Sequence, residues 1–196
     1  MVNSVVQQSM LRRAVEQEKV TLHCINLRDF GKSNYRQIDD TPFGGGAGMV
    51  MMPKPLFQSI DHAIELVGGS ENLRIIYPSP QGELWSHKHA VENSEANKLI
   101  VICGHYKGID HRIREVYITK EISVGDFVLS GGELPAAILC DAVIRLLPGV
   151  LGDETSALTD SFQDGLLAPP VYTRPFEWRG ISVPDVLVSG HAQKIE

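Results

Sequence analysis

The segment Ile122-Ser-Val-Gly-Asp-Phe-Val-Leu-Ser-Gly-Gly-Glu-Leu-Pro135 decides the fold that we predict for this chain. Its glycines allow the backbone to turn at positive φ and to approach a ligand closely. Its end, with Glu133 and Pro135, is typical of a helix start, where free N–H groups carry a partial positive charge and proline suits the first turn. We therefore predict a strand, a tight glycine loop and a helix in succession.

Two segments upstream repeat this arrangement. The apolar run Leu99-Ile-Val-Ile-Cys103 precedes a second glycine loop, Gly104-His-Tyr-Lys-Gly108. Earlier still, Leu73-Arg-Ile-Ile-Tyr77 leads into Pro78-Ser-Pro-Gln-Gly82. Three strand-then-loop units predict a pocket built largely of backbone, and such a pocket favours a small planar or adenosine-like ligand.

Hydrophobic periodicity predicts strands that alternate with helices. The predicted helices are 5–19, 55–67, 88–98, a stretch from Asp110, and 133–147; the predicted strands are 20–25, 73–77, 99–103 and 116–119. This alternation indicates an α/β fold with a mostly parallel sheet. Beyond residue 149 four prolines interrupt any long element, so we predict a loop-like region over 149–185.

Composition narrows the class of protein. A chain of 196 residues accommodates one sizeable core, or one domain with an appendage. No run of eighteen apolar residues exists, so we expect no membrane span. The three cysteines lack metal-ligand spacing and have apolar neighbours, which indicates reduced thiols in a cytosolic protein. The chain has a net charge of −6, but its first sixty residues have a net charge of +2. This uneven distribution is compatible with nucleic-acid binding and equally with chance.

The glycine-rich stretch Pro42-Phe-Gly-Gly-Gly-Ala-Gly48 matches no phosphate-binding motif. The stretch is not followed by Lys-Ser or Lys-Thr, and Met49 stands where a dinucleotide fingerprint needs its third glycine. A mobile hinge over a site and a structural turn both remain open. Asp39 and Asp40 precede this stretch. They are candidates for acid chemistry or, alternatively, for solvated carboxylates that cap a turn.

Two charged residues are candidates for chemistry. Arg145 lies among apolar neighbours, where a guanidinium needs an anion or an acceptor, supplied by a ligand or by a structural salt bridge. Asp160 belongs to an Asp-Ser pair in a loop, which by itself is typical of a cap. The seven histidines form no metalloprotease or serine-hydrolase pattern, although His105 lies in a glycine loop and can contact a ligand.

Taken together, the motifs carry a specific resemblance. The chain closely resembles the bacterial tRNA (guanine-N1)-methyltransferases, members of the knotted SPOUT superfamily. The matching pieces cover nearly the whole chain in the family's order: Asn26-Leu-Arg-Asp-Phe30, Asp39-Asp-Thr-Pro-Phe-Gly-Gly-Gly-Ala-Gly-Met49, Pro78–Gly82, Cys103–Asp110, Ser123–Pro135, Pro148–Gly152, Asp160–Phe162 and Tyr172–Pro175.

The resemblance implies an α/β fold with helices on both faces of a mostly parallel sheet and a deep C-terminal trefoil knot, a rare exception to un-knotted topology. It implies a methyltransferase domain over residues 1–160, and over 161–196 a linker with the start of a tRNA-binding domain. The implied activity is methylation, by S-adenosylmethionine, of N1 of the guanine 3′ to the anticodon (position 37). Implied partners are the tRNA anticodon stem-loop and, in a homodimer with shared active sites, a second copy. We expect a cytoplasmic enzyme without a metal.

The family pattern also implies roles for individual residues. Asp160 would be the general base that removes the N1 proton, and Arg145 would stabilise the negative charge that then builds on O6. The implied cofactor-binding residues are Tyr77, Pro78, Ser79, Pro80, Gly82, Gly104, Tyr106, Val124, Gly125, Asp126, Phe127, Val128, Leu129, Gly131, Gly132 and Pro135.

The chain departs from the family pattern at three points. It begins just after the apolar strand with which members usually start, so we expect the sheet to lack one strand and to expose edge groups. It ends at 189–196, where members continue into a helical tRNA-binding domain, and Lys107 stands where many members have Glu. Two other hypotheses follow: a truncated, non-catalytic protein that binds the cofactor or tRNA, and a nucleotide-dependent oxidoreductase, for which no fingerprint matches.

Overall fold

The computed structural model of the protein describes residues 2–151, 160–162 and 165–190. The chain divides into two compact units, Met1–Leu158 and Thr159–Glu196. The sequence prediction set a domain boundary at residue 160.

Helices and strands alternate through most of the first unit. Its α-helices are α1 Val2–Val6, α2 Ser9–Glu16, α3 Pro53–Leu66, α4 His87–Ser94, α5 His111–Tyr117 and α6 Glu133–Ile144, and Leu27–Phe30 forms a 3₁₀ turn. Its strands are β1 Asp39–Asp40, β2 Val50–Met51, β3 Leu73–Leu84, β4 Lys98–Val101 and β5 Lys120–Ser123. The second unit contains β6 Glu177–Trp178, β7 Ile181–Ser182 and α7 Asp185–Val188.

The central sheet has the order β4-β3-β5, and both of its ladders are parallel. Ile75 pairs with Ile100 on one side of β3, and Tyr77 pairs with Glu121 on the other. The predicted α/β class with a parallel sheet is therefore confirmed. Parallel strands require crossover connections, which here contain α4 and α5.

Helices pack on both faces of this sheet. Ile75 and Tyr77 belong to one buried cluster together with Leu56 of α3 and Ile113 of α5. Ile76, whose side chain points to the opposite face, belongs to another buried cluster with Ile122 and Leu139 of α6. The alternation of neighbouring side chains along β3 is what divides the core into these two layers.

The predicted helix over 5–19 is wrong as one continuous element. The helix is interrupted at Gln7 and Gln8, and Gln8 has extended backbone angles (φ −117°, ψ 154°). The interruption changes the direction of the chain, so that Val6 and Leu11 both pack into one cluster with Ile144 at the end of α6. Burial of apolar side chains thus outweighs the local preference for a longer helix.

The predicted strand over 20–25 has no ladder partner among the described residues. Residues 21–25 line a cavity of about 550 Å³ together with residues 99–103. A strand needs a neighbour about 4.8 Å away to pair its backbone groups, and in the described residues this segment forms no ladder. The sheet order correspondingly leaves the outer edge of β4 without a partner strand in the described part of the chain.

Two other strand boundaries differ from prediction. β3 continues to Leu84 instead of ending at Tyr77, and Pro78 and Glu83 both lie opposite Ile122 of β5 because the residues between them bulge out. The predicted strand at 116–119 is wrong, since α5 extends to Tyr117 and β5 starts at Lys120. Thr119 joins the two elements through a side-chain hydroxyl that donates to the Ile75 carbonyl (2.9 Å).

The second unit contains more regular structure than the predicted loop over 149–185. β6 and β7 form an antiparallel hairpin in which Trp178 pairs with Ile181, and the Arg179 guanidinium lies 4.6 Å from the Trp178 ring centroid. Across the described ranges of both units, no helix is long and apolar enough to span a membrane.

Candidate functional site

A cavity of about 390 Å³ opens where three segments of the first unit converge. The segments are 77–81 within β3, 104–109 after β4, and 122–132 after β5, with Pro135 of α6 beside them. Its volume is in the usual range of small-ligand sites, and two of its walls lie at the carboxyl ends of parallel strands, where α/β proteins commonly bind ligands.

This cavity brings together most of the residues predicted to bind a cofactor. On its lining are Tyr77, Pro78, Ser79, Pro80, Gly104, Tyr106, Val124, Gly125, Phe127, Val128, Leu129, Gly131, Gly132 and Pro135. Gly82 and Asp126 are not on the lining. At Gly82 a Cβ atom would lie 2.4 Å from the backbone nitrogen of Ile122, so this glycine permits close passage of β3 beside β5.

Two of the loops are joined directly through their backbones. Gly132 N–H donates to the Gly104 carbonyl over 2.8 Å, and His105 pairs with Gly131 in an antiparallel bridge. A Cβ atom on Gly132 would lie 2.7 Å from Cys103 Cα and 2.8 Å from the Gly104 nitrogen. Glycine is therefore required at 132 because the two protein backbones approach each other here.

The turn after β5 is held by local hydrogen bonds. Ser123 Oγ lies 3.0 Å from the Gly125 carbonyl and 3.2 Å from the Gly125 N–H. Gly125 has φ +147°, and a Cβ there would lie 2.5 Å from Cε1 of Phe127. The glycine thus accommodates the aromatic ring that forms part of the cavity wall.

Tyr77 forms another wall of the cavity from within the core, where its relative exposure is 6%. Burial raises the pKa of the Tyr77 hydroxyl, and the positive charge of Arg114 opposes this effect. The Arg114 guanidinium lies 5.9 Å from the Tyr77 ring centroid and donates to both carboxylate oxygens of Glu121 (2.7 and 2.5 Å). Sequence reasoning missed Arg114, since no motif signals a pair formed between α5 and β5.

His105 and Glu133 form a hydrogen-bonded pair at the junction of the two loops, with 2.5 Å between Nε2 and Oε1. Partial burial is the largest single influence on the Glu133 carboxyl and would raise its pKa, but the hydrogen bond from His105, a backbone N–H and nearby positive charge together outweigh it, so the pKa is lowered. Glu133 is therefore ionised at neutral pH. His105, considered from the sequence as a possible ligand contact, lines the cavity.

The glycine-rich stretch 44–48 leads into a segment hydrogen-bonded to the 104–110 loop. Lys107 N–H donates to the Met49 carbonyl, and Met51 N–H to the Gly108 carbonyl, each over 3.0 Å. The methylene chain of Lys107 lies against Gly48, where a Cβ would be 3.1 Å from Cε. Before the glycines, the Asp40 carboxylate accepts the Thr41 N–H (2.8 Å), as expected of a turn cap.

The two predicted catalytic residues are not on the cavity lining. Arg145 follows α6 directly, ten residues after Pro135, which corresponds to about 15 Å along a helix. Asp160 belongs to the second unit and keeps its assignment as a prediction. In the described part of the chain, no group of three or more His, Cys, Asp or Glu side chains is suitably placed to hold a metal ion.

A parallel α/β sheet with a cavity beside its strand ends defines the class: an α/β domain with a small-ligand site of the kind that α/β enzymes use. Comparison with known proteins then gives the family. The family model described as tRNA (guanine-1)-methyltransferase TrmD matches residues 1–196. The chain belongs to this family, as its sequence motifs predict.

Individual relatives are similar along almost the whole chain. A tRNA (guanine-N(1)-)-methyltransferase of Christiangramia forsetii is 57% identical over 188 residues, which are 96% of this chain and 82% of the relative. Enzymes of the same name from Flavobacterium johnsoniae and Staphylococcus aureus are 53% and 49% identical over 196 residues, which are 85% and 78% of those relatives. These similarities give no support to the non-catalytic or oxidoreductase hypotheses.

Proposed function

We propose that the chain transfers a methyl group from S-adenosylmethionine to N1 of the guanine 3′-adjacent to the anticodon, position 37, in tRNA. Membership of the tRNA (guanine-1)-methyltransferase family supports the reaction. The single structural observation that carries the proposal is the cavity at which the three predicted cofactor-binding segments converge.

The cavity suits S-adenosylmethionine in size and in chemistry. Its volume of about 390 Å³ accommodates a ligand of this size, and the N–H and C=O groups of its glycine-rich segments suit recognition of an adenine edge. Gly104 and Gly131 allow neighbouring side chains to pack closely against the cavity segments, because a Cβ on Gly104 would lie 2.8 Å from the Tyr77 ring and a Cβ on Gly131 2.5 Å from Glu133 Oε2. When bound, the sulfonium donor supplies a methyl group already activated for attack, so the chain's task is alignment and control of the N1 proton.

Arg145 and Asp160 supply complementary chemistry for guanine. N1 of guanine carries a proton and is a poor nucleophile until that proton is removed, so a general base is required. In our proposal the Asp160 carboxylate takes this proton. The guanidinium of Arg145 stabilises the negative charge that develops on O6.

A second copy of the chain belongs to this proposal. About 15 Å of helix separates Arg145 from the cavity end of α6, so the chemistry at one cavity draws Arg145 from a partner. Apolar residues on and near α6 are exposed enough to form the contact, with Leu134 and Ile138 at 46% and 49% relative exposure. Exposed contiguous apolar residues commonly mark association surfaces.

The proposal includes the remaining family features. We propose a deep trefoil knot in the methyltransferase domain, on the strength of membership of the family. We further propose that 1–160 is the catalytic domain, that 161–196 links it to tRNA-binding structure, and that the enzyme works in the cytoplasm, where its tRNA substrate is found.

The proposed activity predicts that methylation depends on the guanine at position 37 of the tRNA. Incubated with labelled S-adenosylmethionine and a tRNA transcript with guanine at position 37, the protein should produce N1-methylguanine, detected by nucleoside chromatography. A transcript with adenine at position 37 is the control and should accept no label. Calorimetry should show saturable binding of S-adenosylmethionine or S-adenosylhomocysteine, and no binding of either at millimolar concentration would refute the cofactor assignment.

The shared site predicts a dimer. Sedimentation at micromolar concentration should show a species of twice 21.6 kDa, about 43 kDa. Ile138→Glu, which introduces a charge into the exposed apolar face of α6, should shift the protein toward the monomer, because burying an unpaired carboxylate is unfavourable. Val116→Glu, at a 73% exposed site on α5, is the matched control; a wild-type protein that sediments only as a monomer would contradict the shared site.

A further inference from the structure

We propose that His105 and Glu133 are positioning residues for the methyl donor, forming a clasp that fixes the distance between two walls of its cavity. This inference rests on the proposed function, because it concerns the site in which the donor would bind. Neither residue takes part in the chemistry. Their role is to hold the 104–108 and 130–132 segments together.

The contacts of the pair support this role. His105 Nε2 lies 2.5 Å from Glu133 Oε1, and the two residues are separated by 28 positions in the chain. The pair therefore closes a long loop that contains α5 and β5. Next to it, the Gly132–Gly104 backbone hydrogen bond of 2.8 Å joins the same two segments.

The pair also lies directly against the backbone that lines the cavity. A Cβ on Gly131 would be 2.5 Å from Glu133 Oε2 and 2.8 Å from His105 Nε2. The two side chains thus cover the open face of Gly131, whose backbone belongs to the cavity wall.

Charge and helix geometry strengthen the clasp. Glu133 is the first residue of α6, and the preceding Gly132 offers no side-chain cap. A carboxylate in the first turn is stabilised by the free N–H groups of the helix. Glu133 is only partly exposed, with a side-chain exposure of 28%, so its bond to His105 is less screened by solvent than a surface pair.

The chain contains a matched control for this pair. His111 and Glu115, on α5, form a second His–Glu pair at 3.5 Å, but both side chains are more than 60% exposed and neither lines the cavity. His111→Ala removes a similar pair without changing the cavity. We expect it to leave donor affinity unchanged.

The test measures S-adenosylhomocysteine affinity by calorimetry and single-turnover methylation at saturating donor. His105→Ala should weaken binding about ten- to hundred-fold, the value of one hydrogen bond to a charged group, while the saturated rate stays within about three-fold. His105→Gln, which retains a donor N–H, should recover most of the affinity. Glu133→Gln should lower affinity less than His105→Ala, because its amide still accepts a hydrogen bond.

The His105→Ala/Glu133→Ala double variant tests whether the residues act as one unit. It should lose no more affinity than His105→Ala alone, because residues in contact are non-additive. Unchanged affinity in His105→Ala, or independent losses that multiply in the double variant, would overturn the clasp. If His105→Ala fails to fold, equal affinity of Glu133→Gln and wild type would overturn it instead. Absence of binding to the wild-type protein would refute the proposed function itself, a separate result.

Discussion

Asp160→Asn is expected to lower the single-turnover rate of methyl transfer by about 10²–10⁴, the usual contribution of a general base. The amide is similar in size to the carboxylate but cannot take the N1 proton of guanine. Because Asp160 is not on the donor cavity lining, the affinity for S-adenosylmethionine should remain within a few-fold of wild type. The effect should therefore be on the rate at saturating donor.

Arg145→Ala should lower the single-turnover rate of methyl transfer nearly as much as Asp160→Asn. If the guanidinium stabilises negative charge on O6 as an oxyanion donor does, its loss should raise the barrier by about 2.7–4 kcal/mol. This corresponds to a rate loss of about 10²–10³. Both variants should be measured on an anticodon stem-loop with guanine at position 37, with the donor saturating.

Matched controls separate chemistry from damage to the fold. Asp185→Asn removes a carboxylate at the exposed start of α7 in the same unit as Asp160. Arg12→Ala removes an exposed guanidinium paired with Glu16 over 3.4 Å. Both should retain near-normal rates. A near-normal single-turnover rate in Asp160→Asn would show that Asp160 only caps its loop.

Gly132→Ala is expected to have a large effect of a different kind, on donor binding. The new Cβ would lie 2.7 Å from Cys103 Cα and 2.8 Å from the Gly104 nitrogen. Both are backbone atoms that cannot rotate away. The two loops must therefore separate, which breaks the 2.8 Å hydrogen bond between Gly132 N–H and the Gly104 carbonyl.

We expect Gly132→Ala to weaken S-adenosylhomocysteine binding by more than about hundred-fold, since overpacking typically costs about 1–3 kcal/mol and the loss of the hydrogen bond adds to it. The residue has φ −81°, so alanine itself adds no backbone strain.

Gly131→Ala is the graded comparison, because the atoms near its Cβ belong to the side chains of His105 and Glu133. It should weaken binding less, and equal affinities of wild type and Gly132→Ala would contradict this account of the cavity.

The sequence by itself determined the class of fold and the location of the cavity loops. Apolar runs at 73–77 and 99–103 predicted parallel strands with a pocket beside them, and the structure has parallel strands and a cavity there, although 78–82 continues β3 and is not the predicted loop. These predictions succeeded because they rest on local chemistry: strand periodicity, the conformational freedom of glycine and the start of a helix at Glu133. The family resemblance was likewise carried by contiguous motifs and is confirmed over the whole chain.

Only the tertiary structure decided how these loops meet. Three features join residues that are far apart in the chain: the close approach of two backbones at Gly132, the His105–Glu133 pair and the Arg114–Tyr77 contact. Tertiary contacts also explain two wrong predictions. Residues 20–25 have strand-like side chains but no partner strand in the described part of the chain. The predicted helix over 5–19 is interrupted, and this allows Val6 and Leu11 to pack into one cluster. Ladder pairing and burial depend on neighbours that the tertiary fold supplies, and local sequence does not encode their distances.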